Sequence, residues 1–247
     1  MVFCMYTNVR SIVNNCKLEE IKILTKMHNI DILGLTETWT NESISDAELS
    51  IQGFVLYRKD RVFGEKHRGG GVLLYVRDNL FSSNILDDTD RLSESLWISI
   101  KGEGVNDFRV GLCYRSPTIT KSEEDILFAE IKHNTKGLTL LMRDFNFPDI
   151  NWLSLQATSA ISTVFLDLAN DLFLTQHVLQ STRNCNILDL VFTTEENMIE
   201  EVEICAPISN SDHNTICFKL ITKTLLDKSS VSCVTTTEVI IAKFARN

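Results

Sequence analysis

Several polar side chains stand where apolar runs stop. "FCMYT" delivers Asn8, "DILGLT" delivers Glu37 and "VGLC" delivers Tyr114. "TLLMR" delivers Asp144 and Asn146, and "SNS" delivers Asp212 and His213 just ahead of "NTICFKL". A single polar ending is a strand cap or a turn. Gathered at one rim, the set would ring one cleft with carboxylates, amides, a phenol and an imidazole. Glu37 suits a hard divalent cation such as Mg²⁺, which takes one or two carboxylates and keeps water or substrate phosphate as its other ligands. Asn8 and Asn146 neither charge nor titrate, so they can bond a phosphate oxygen or orient a water. Asp189 lies inside the apolar "ILDLVF" and must be paired or neutral. His213 is its expected partner, one imidazole nitrogen bonded and the other left for substrate. Arg115, Arg183 or backbone amides are the alternative partners.

The elements that must carry these residues are short apolar β-like runs alternating with amphipathic helices. Strands are expected at 2–7, 31–36, 71–76, 95–100, 108–114, 138–144, 187–192 and 214–220, most of them apolar on both faces and so buried on both. Leu18, Ile21, Leu24 and Met27 mark a helix over 17–28. A second, over 122–133, opens "SEED" with an N-cap and first-turn acid, and a third, over 161–174, carries the stripe Val164, Phe165, Leu168, Ala169 and Leu172. "GGG" at 69–71 reads as a turn into a strand, because no helix with Lys-Ser/Thr follows it. One domain over 1–220 is expected, with a tail at 221–247 whose Ser/Thr clusters and weak periodicity set it outside the core.

Composition excludes several classes. In 247 residues, 44% hydrophobic and 23% charged content is that of a globular chain, and no apolar stretch reaches the roughly 20 residues of a membrane helix. The seven cysteines are scattered without a C-x-x-C pair, as buried hydrophobes in a reducing compartment are, and the five histidines do not cluster into a zinc site. A net charge of −9 opposes contact with nucleic acid, but bound divalent metal can bridge an acidic protein to phosphate. Residues 58–68, "RKDRVFGEKHR", form a basic patch, as fitting for a solvated loop as for a phosphate-facing surface.

The motifs "YTNVRSIVNN", "ILGLTETW", "GGGVLLYVRDNL", "CYRSP", "DFNFPDINW", "NILDLVFTTEENMI" and "NSDHNTICFKL" resemble, in this order, the endonuclease/exonuclease/phosphatase superfamily. They are most similar to the endonuclease domain of non-LTR, LINE-type retrotransposons of the chicken-repeat and jockey group. The resemblance implies an α/β (α+β) fold of the DNase-like type, a four-layer sandwich of two packed mixed β-sheets flanked by helices. It implies Mg²⁺-dependent phosphodiester hydrolysis, with Mn²⁺ as a substitute, nicking one strand of a DNA partner to leave a 3′-hydroxyl that primes reverse transcription. By the same resemblance Glu37, Asn8 and Asp212 serve the metal, and Asp144 and Asn146 position the attacking water. Tyr114 and His213 contact the scissile phosphate, and Asp189 holds His213. Arg115, Ser211, Arg58, Lys59 and Arg61 are the expected substrate contacts. An active copy would need to work in the nucleus, although no basic import cluster is evident; no membrane or protein partner is expected.

Two features depart from the family. Full elements continue into a reverse transcriptase that these residues do not include, so an impaired remnant is the second expectation, and a phosphatase of the same superfamily the third. Arg143 stands where the family usually has glycine. On a strand its side chain enters the layer of Leu141 and Phe145, where an unpaired guanidinium costs several kcal/mol as an order of magnitude. Either it snorkels to water, or an acid pairs with it, or the strand that carries Asp144 is displaced.

Overall fold

The computed structural model describes residues 1–13, 15–61, 69–85, 94–102 and 107–221. In chain order its strands are β1 (Val2–Asn8), β2 (Ile32–Thr36), β3 (Phe54–Lys59), β4 (Val72–Arg77), β5 (Ser82–Asn84), β6 (Ser95–Ile100) and β7 (Phe108–Tyr114). They continue with β8 (Thr139–Asp144), β9 (Ile150–Asn151), β10 (Gln156–Ala157), β11 (Thr175–Gln176), β12 (Asp189–Thr193), β13 (Ile199–Cys205) and β14 (Thr215–Leu220). The helices are α1 (Asn15–Met27), α2 (Asp46–Leu49), α3 (Lys121–Asn134) and α4 (Ala160–Asp171).

Two six-stranded mixed sheets result, one in the order β13-β14-β1-β2-β4-β3 and the other β11-β12-β8-β7-β6-β5. Side chains alternate along each strand, and the alternation sorts them into layers. Cys4, Tyr6, Ile32, Leu74, Val110, Leu112, Leu140, Met142, Val191, Ile216 and Phe218 meet in the layer between the sheets. Met5, Leu33, Leu35, Leu73 and Tyr75 face outward onto Leu18 and Ile21 of α1. Leu141, Leu190 and Phe192 face outward onto Leu127 and Ile131 of α3 and Phe165 of α4. This is the four-layer α/β sandwich that the resemblance implied.

The expected strands and helices form within a few residues of their expected bounds. The differences have physical causes. Met27 is 68% exposed and Val164 47% exposed, each a position off its helix's buried stripe. α3 is capped by Thr120 rather than by the serine of "SEED": Thr120 Oγ1 accepts the Glu123 N–H, and the Glu123 carboxylate accepts the Thr120 N–H. β3 and β13 were not anticipated. In β13 a bulge between Glu200 and Glu203 breaks the period-2 pattern. Gly69, Gly70 and Gly71 all have positive φ in the turn that leads into β4. Of the basic patch, residues 62–68 lie outside the described residues, as do residues 222–247 of the tail. Among the described residues no helix is long and apolar enough to cross a membrane.

Candidate active site

The alternation that builds the central layer also aims the polar strand ends. Asn8 follows Cys4 and Tyr6 on one face of β1, and Thr36 follows Ile32 on β2, with Asn8 and Thr36 in register. On the other sheet, Tyr114 of β7, Asp144 of β8 and Asp189 of β12 share the inward face and stand in one row across three strands. The two rows meet at the end of the sandwich. Tyr6 hydroxyl donates to Asp189 Oδ1 (3.4 Å), Asn8 Nδ2 to Asp144 Oδ2 (2.9 Å), and Tyr114 hydroxyl to Glu37 Oε1 (2.7 Å). His213, just ahead of β14, bonds Asp189 Oδ2 through Nδ1 (2.7 Å). The first two of these bonds join one sheet to the other, and the last two join the second sheet to the loop residues Glu37 and His213 beside the first.

Supporting bonds fix the orientation of each group. Thr182 Oγ1 accepts the N–H groups of Leu188 and Asp189, holding the start of β12. Ser211 hydroxyl donates to the Asn8 carbonyl and accepts the His213 N–H, tying His213 to the end of β1. Past β8 the chain turns at once: Asn146 has φ of 51°, its N–H donates to Asp144 Oδ1 and its amide to the Arg115 carbonyl. Glu37 and Trp39 also have positive φ, of 51° and 57°. Such conformations persist where surrounding structure enforces them.

The electrostatics follow from burial and crowding. Asp144 is fully buried, and that burial, with the Asp189 charge beside it, pushes its pKa up to about 7. Burial, the largest single influence, would lower the His213 pKa, but its bond to Asp189 together with the charges of Asp189 and Asp144 outweighs burial and raises it. Burial and the neighbouring Glu37 carboxylate raise Tyr114, which stays a neutral donor. Asp144, Asp189 and His213 offer ligand atoms that all lie within 4.8 Å of one another, a spacing able to hold a metal ion. The Asp189–His213 pair is satisfied by its own hydrogen bond. The unrelieved feature is the accumulation of carboxylate around Asp144, and a hard divalent cation with oxygen ligands fits that feature.

Asp212, Arg115, Arg58 and Arg61 are engaged in ion pairs, and Ser211 serves as structure. Asp212, expected at the metal, is ion-paired with Arg183 (2.6 Å) and Arg10 (3.3 Å) at the rim, and Arg183 keeps its pKa low despite partial burial. It stands outside the Asp144–Asp189–His213 group, with both Arg183 bonds on its Oδ2. Arg115, expected to touch substrate, is buried; it pairs with Glu124 of α3, donates to the Phe145 carbonyl and lies 4.3 Å over the Phe147 ring. Its backbone holds Asn146, but its guanidinium faces the helix layer. Arg58 is likewise committed, with bonds to Asp60, Asp46 and the carbonyls of Asn41 and Ile44. Ser211 spends its hydroxyl on the backbone of Asn8. Lys59 ends β3 opposite Val72, and Arg61 pairs with Glu94, 5.8 Å from the Tyr114 ring centroid.

Arg143 neither reaches water nor finds an acid. It is fully buried, and Nε, Nη1 and Nη2 all lack a hydrogen-bond partner. The guanidinium lies on the Phe145 ring and 5.0 Å from the Phe165 ring centroid. β8 is nevertheless not displaced, because Arg143 keeps its register with Cys113 on one side and Leu190 on the other. Burial drives its pKa well below the ordinary arginine value.

Tyr6, Thr182 and Glu94 were not anticipated as site residues. Tyr6 stands two residues before Asn8 on the same face of a strand, which is a readable signal. Thr182 and Glu94 carried none, since both act through folded loops.

The chain carries the fold of the endonuclease/exonuclease/phosphatase superfamily. Structures similar to it include the endonuclease domain of TRAS1, a telomere-specific non-LTR retrotransposon, with a TM-score of 0.65 at 14% identity over 91% of this chain and 100% of that one. An AP endonuclease from Leishmania major gives a TM-score of 0.69 at 12% identity, over 90% of this chain and 88% of its own. A mannosyl-6-phosphatase from Bacteroides thetaiotaomicron gives 0.60 at 14% identity, over 90% and 100%. Residues 108–217 match the family model described as endonuclease-reverse transcriptase. A comparison with curated proteins finds no match.

Proposed function

We propose that this chain is a metal-dependent endonuclease domain of the non-LTR retrotransposon type, hydrolysing a DNA phosphodiester to nick one strand and leave a 3′-hydroxyl. The observation that carries the reading is the set of bonds across the two sheets, which brings Asn8, Glu37, Tyr114, Asp144, Asp189 and His213 to one rim. Glu37, Asn8 and Asp144 are the residues to hold Mg²⁺ or Mn²⁺, which supplies positive charge to the phosphate oxygens. Asp144, its carboxylate bonded by Asn8 and by the Asn146 N–H, is to accept the proton of the attacking water, and Asn146 to orient that water. His213, its Nδ1 fixed by Asp189, presents Nε2 to the phosphate, and the Tyr114 hydroxyl donates beside it. Such an activity would be exercised in the nucleus.

The test is conversion of supercoiled plasmid to the nicked circle with Mg²⁺. The reading expects nicking by the parent protein and none by His213→Ala. Release of phosphate from small phosphoesters without nicking would replace it with the phosphatase reading. A second reading rests on Arg143, whose unpaired burial one residue from Asp144 fits an impaired copy. A parent protein that does not nick, beside an Arg143→Gly variant that does, would establish that reading.

A further inference from the structure

Away from the reacting groups, one carboxylate holds the glycine turn that flanks Glu37. Glu94 sits just ahead of β6 with its side chain 17% exposed. Its Oε1 accepts from Arg61 Nε (2.6 Å) and its Oε2 from the Gly71 N–H (2.7 Å), while its backbone carbonyl accepts the Tyr114 N–H (2.8 Å). The glycine turn held in this way holds the next segment: the carbonyls of Gly71 and Gly70 accept the N–H groups of Thr38 (3.2 Å) and Trp39 (2.9 Å). Trp39 Nε1 in turn donates to Glu37 Oε2 (3.4 Å), and Tyr114 donates to Glu37 Oε1. Gly70 has φ of 70°, and a Cβ there would fall on the Glu94 carboxylate and the Arg61 guanidinium. The turn therefore closes tightly around the carboxylate.

We infer that Glu94 is a positioning residue of the site: its carboxylate clasps the 69–71 turn, which holds Thr38 and Trp39, and so helps to set where the Glu37 carboxylate stands. Glu37 has left-handed φ and sits beyond the end of β2, where the Ser11 N–H holds its carbonyl on one side and the glycine turn holds Thr38 and Trp39 on the other, so the turn is one of two supports for its place. The inference rests on the proposed function for the role of Glu37, but the clasp itself is measurable without DNA.

The experiment compares the parent, Glu94→Ala and Glu94→Gln by amide hydrogen exchange and by calorimetric titration with Mn²⁺. Glu94→Ala is expected to speed exchange at Gly71, Thr38 and Trp39 about tenfold or more, leave the β2 amides of Leu33 and Leu35 unchanged, and weaken Mn²⁺ binding at least fivefold. Glu94→Gln keeps an acceptor for the Gly71 N–H and is expected to restore most of the protection and affinity. Unchanged exchange at Thr38 and Trp39 overturns the inference, as does equal acceleration at Leu33 and Leu35. Lost protection with unaltered Mn²⁺ affinity also overturns it, because the clasp is then merely structural. Should Glu94→Ala not fold, Arg61→Met, which removes one arm, is read against the same outcomes. A parent that binds Mn²⁺ but nicks no DNA sinks the nuclease reading and leaves the Glu94 comparison intact.

Discussion

Neighbouring residues on β8 have opposite surroundings. Asp144, facing the central layer, accepts bonds from Asn8 and from the Asn146 backbone and stands between Tyr114 and Asp189. Arg143, facing the helix layer, is as deeply buried, lies against the Phe145 and Phe165 rings and has no hydrogen-bond partner for its guanidinium nitrogens. A buried charge is tolerable when a network satisfies it and costly when nothing does. The two faces show that position on the strand decides whether a buried charge serves the site or burdens the fold.

The largest effect should come from the satisfied face. Asp144→Ala is expected to cut plasmid nicking by roughly two to four orders of magnitude while the thermal midpoint holds or rises. A variant that nicks at the parent rate would break the contrast at once. Next, Arg143→Met keeps an unbranched apolar stem among Phe145, Phe165 and Leu141 and removes the unpaired nitrogens. Urea unfolding should show a gain of about 1–4 kcal/mol; a loss would mean that the ring contacts of the guanidinium outweigh its burial.

The pH dependence sharpens the contrast further. Asp144 is raised in the folded protein from an ordinary carboxylate value to about 7. The folded state therefore holds that proton more tightly than the unfolded chain, and stability falls as pH rises from about 4 to about 7. His213, also raised, adds stability that is full below its unfolded pKa and is lost as pH climbs through its folded one. Midpoints measured by urea should drop over this interval in metal-free buffer, and the drop should shrink with Mg²⁺. The smallest effect is expected at Thr182→Val, which leaves the Leu188 and Asp189 N–H groups without their acceptor and should cost about 1–3 kcal/mol.

Much of the site was legible because an apolar run and its polar end are local properties. Asn8, Tyr114 and Asp144 end runs that read as strands and Asp189 lies inside one, but which face each takes was not readable, because most of these runs are apolar on both. The bond between Asp189 and His213 was readable from the need to satisfy a carboxylate inside an apolar run. Ion pairing was not legible in the same way. Asp212 and Arg115 look free in a linear sequence, yet Arg183, Arg10 and Glu124 reach them only once loops and α3 are in place. β13 escaped because its bulge shifts the alternation partway along. Arg143 was foreseeable as a misfit, but not the outcome, in which β8 holds its register and the arginine is enclosed.

β1 lies between β2 and β14, so the first strand of the fold is bonded to its last. A chain emerging from the ribosome can form β2 and β4 early, but it cannot complete this sheet until residues near Leu220 have left the exit tunnel. His213 arrives with that final segment. Until then the sheet lacks its closing strand and the site lacks its imidazole, so one late segment completes both.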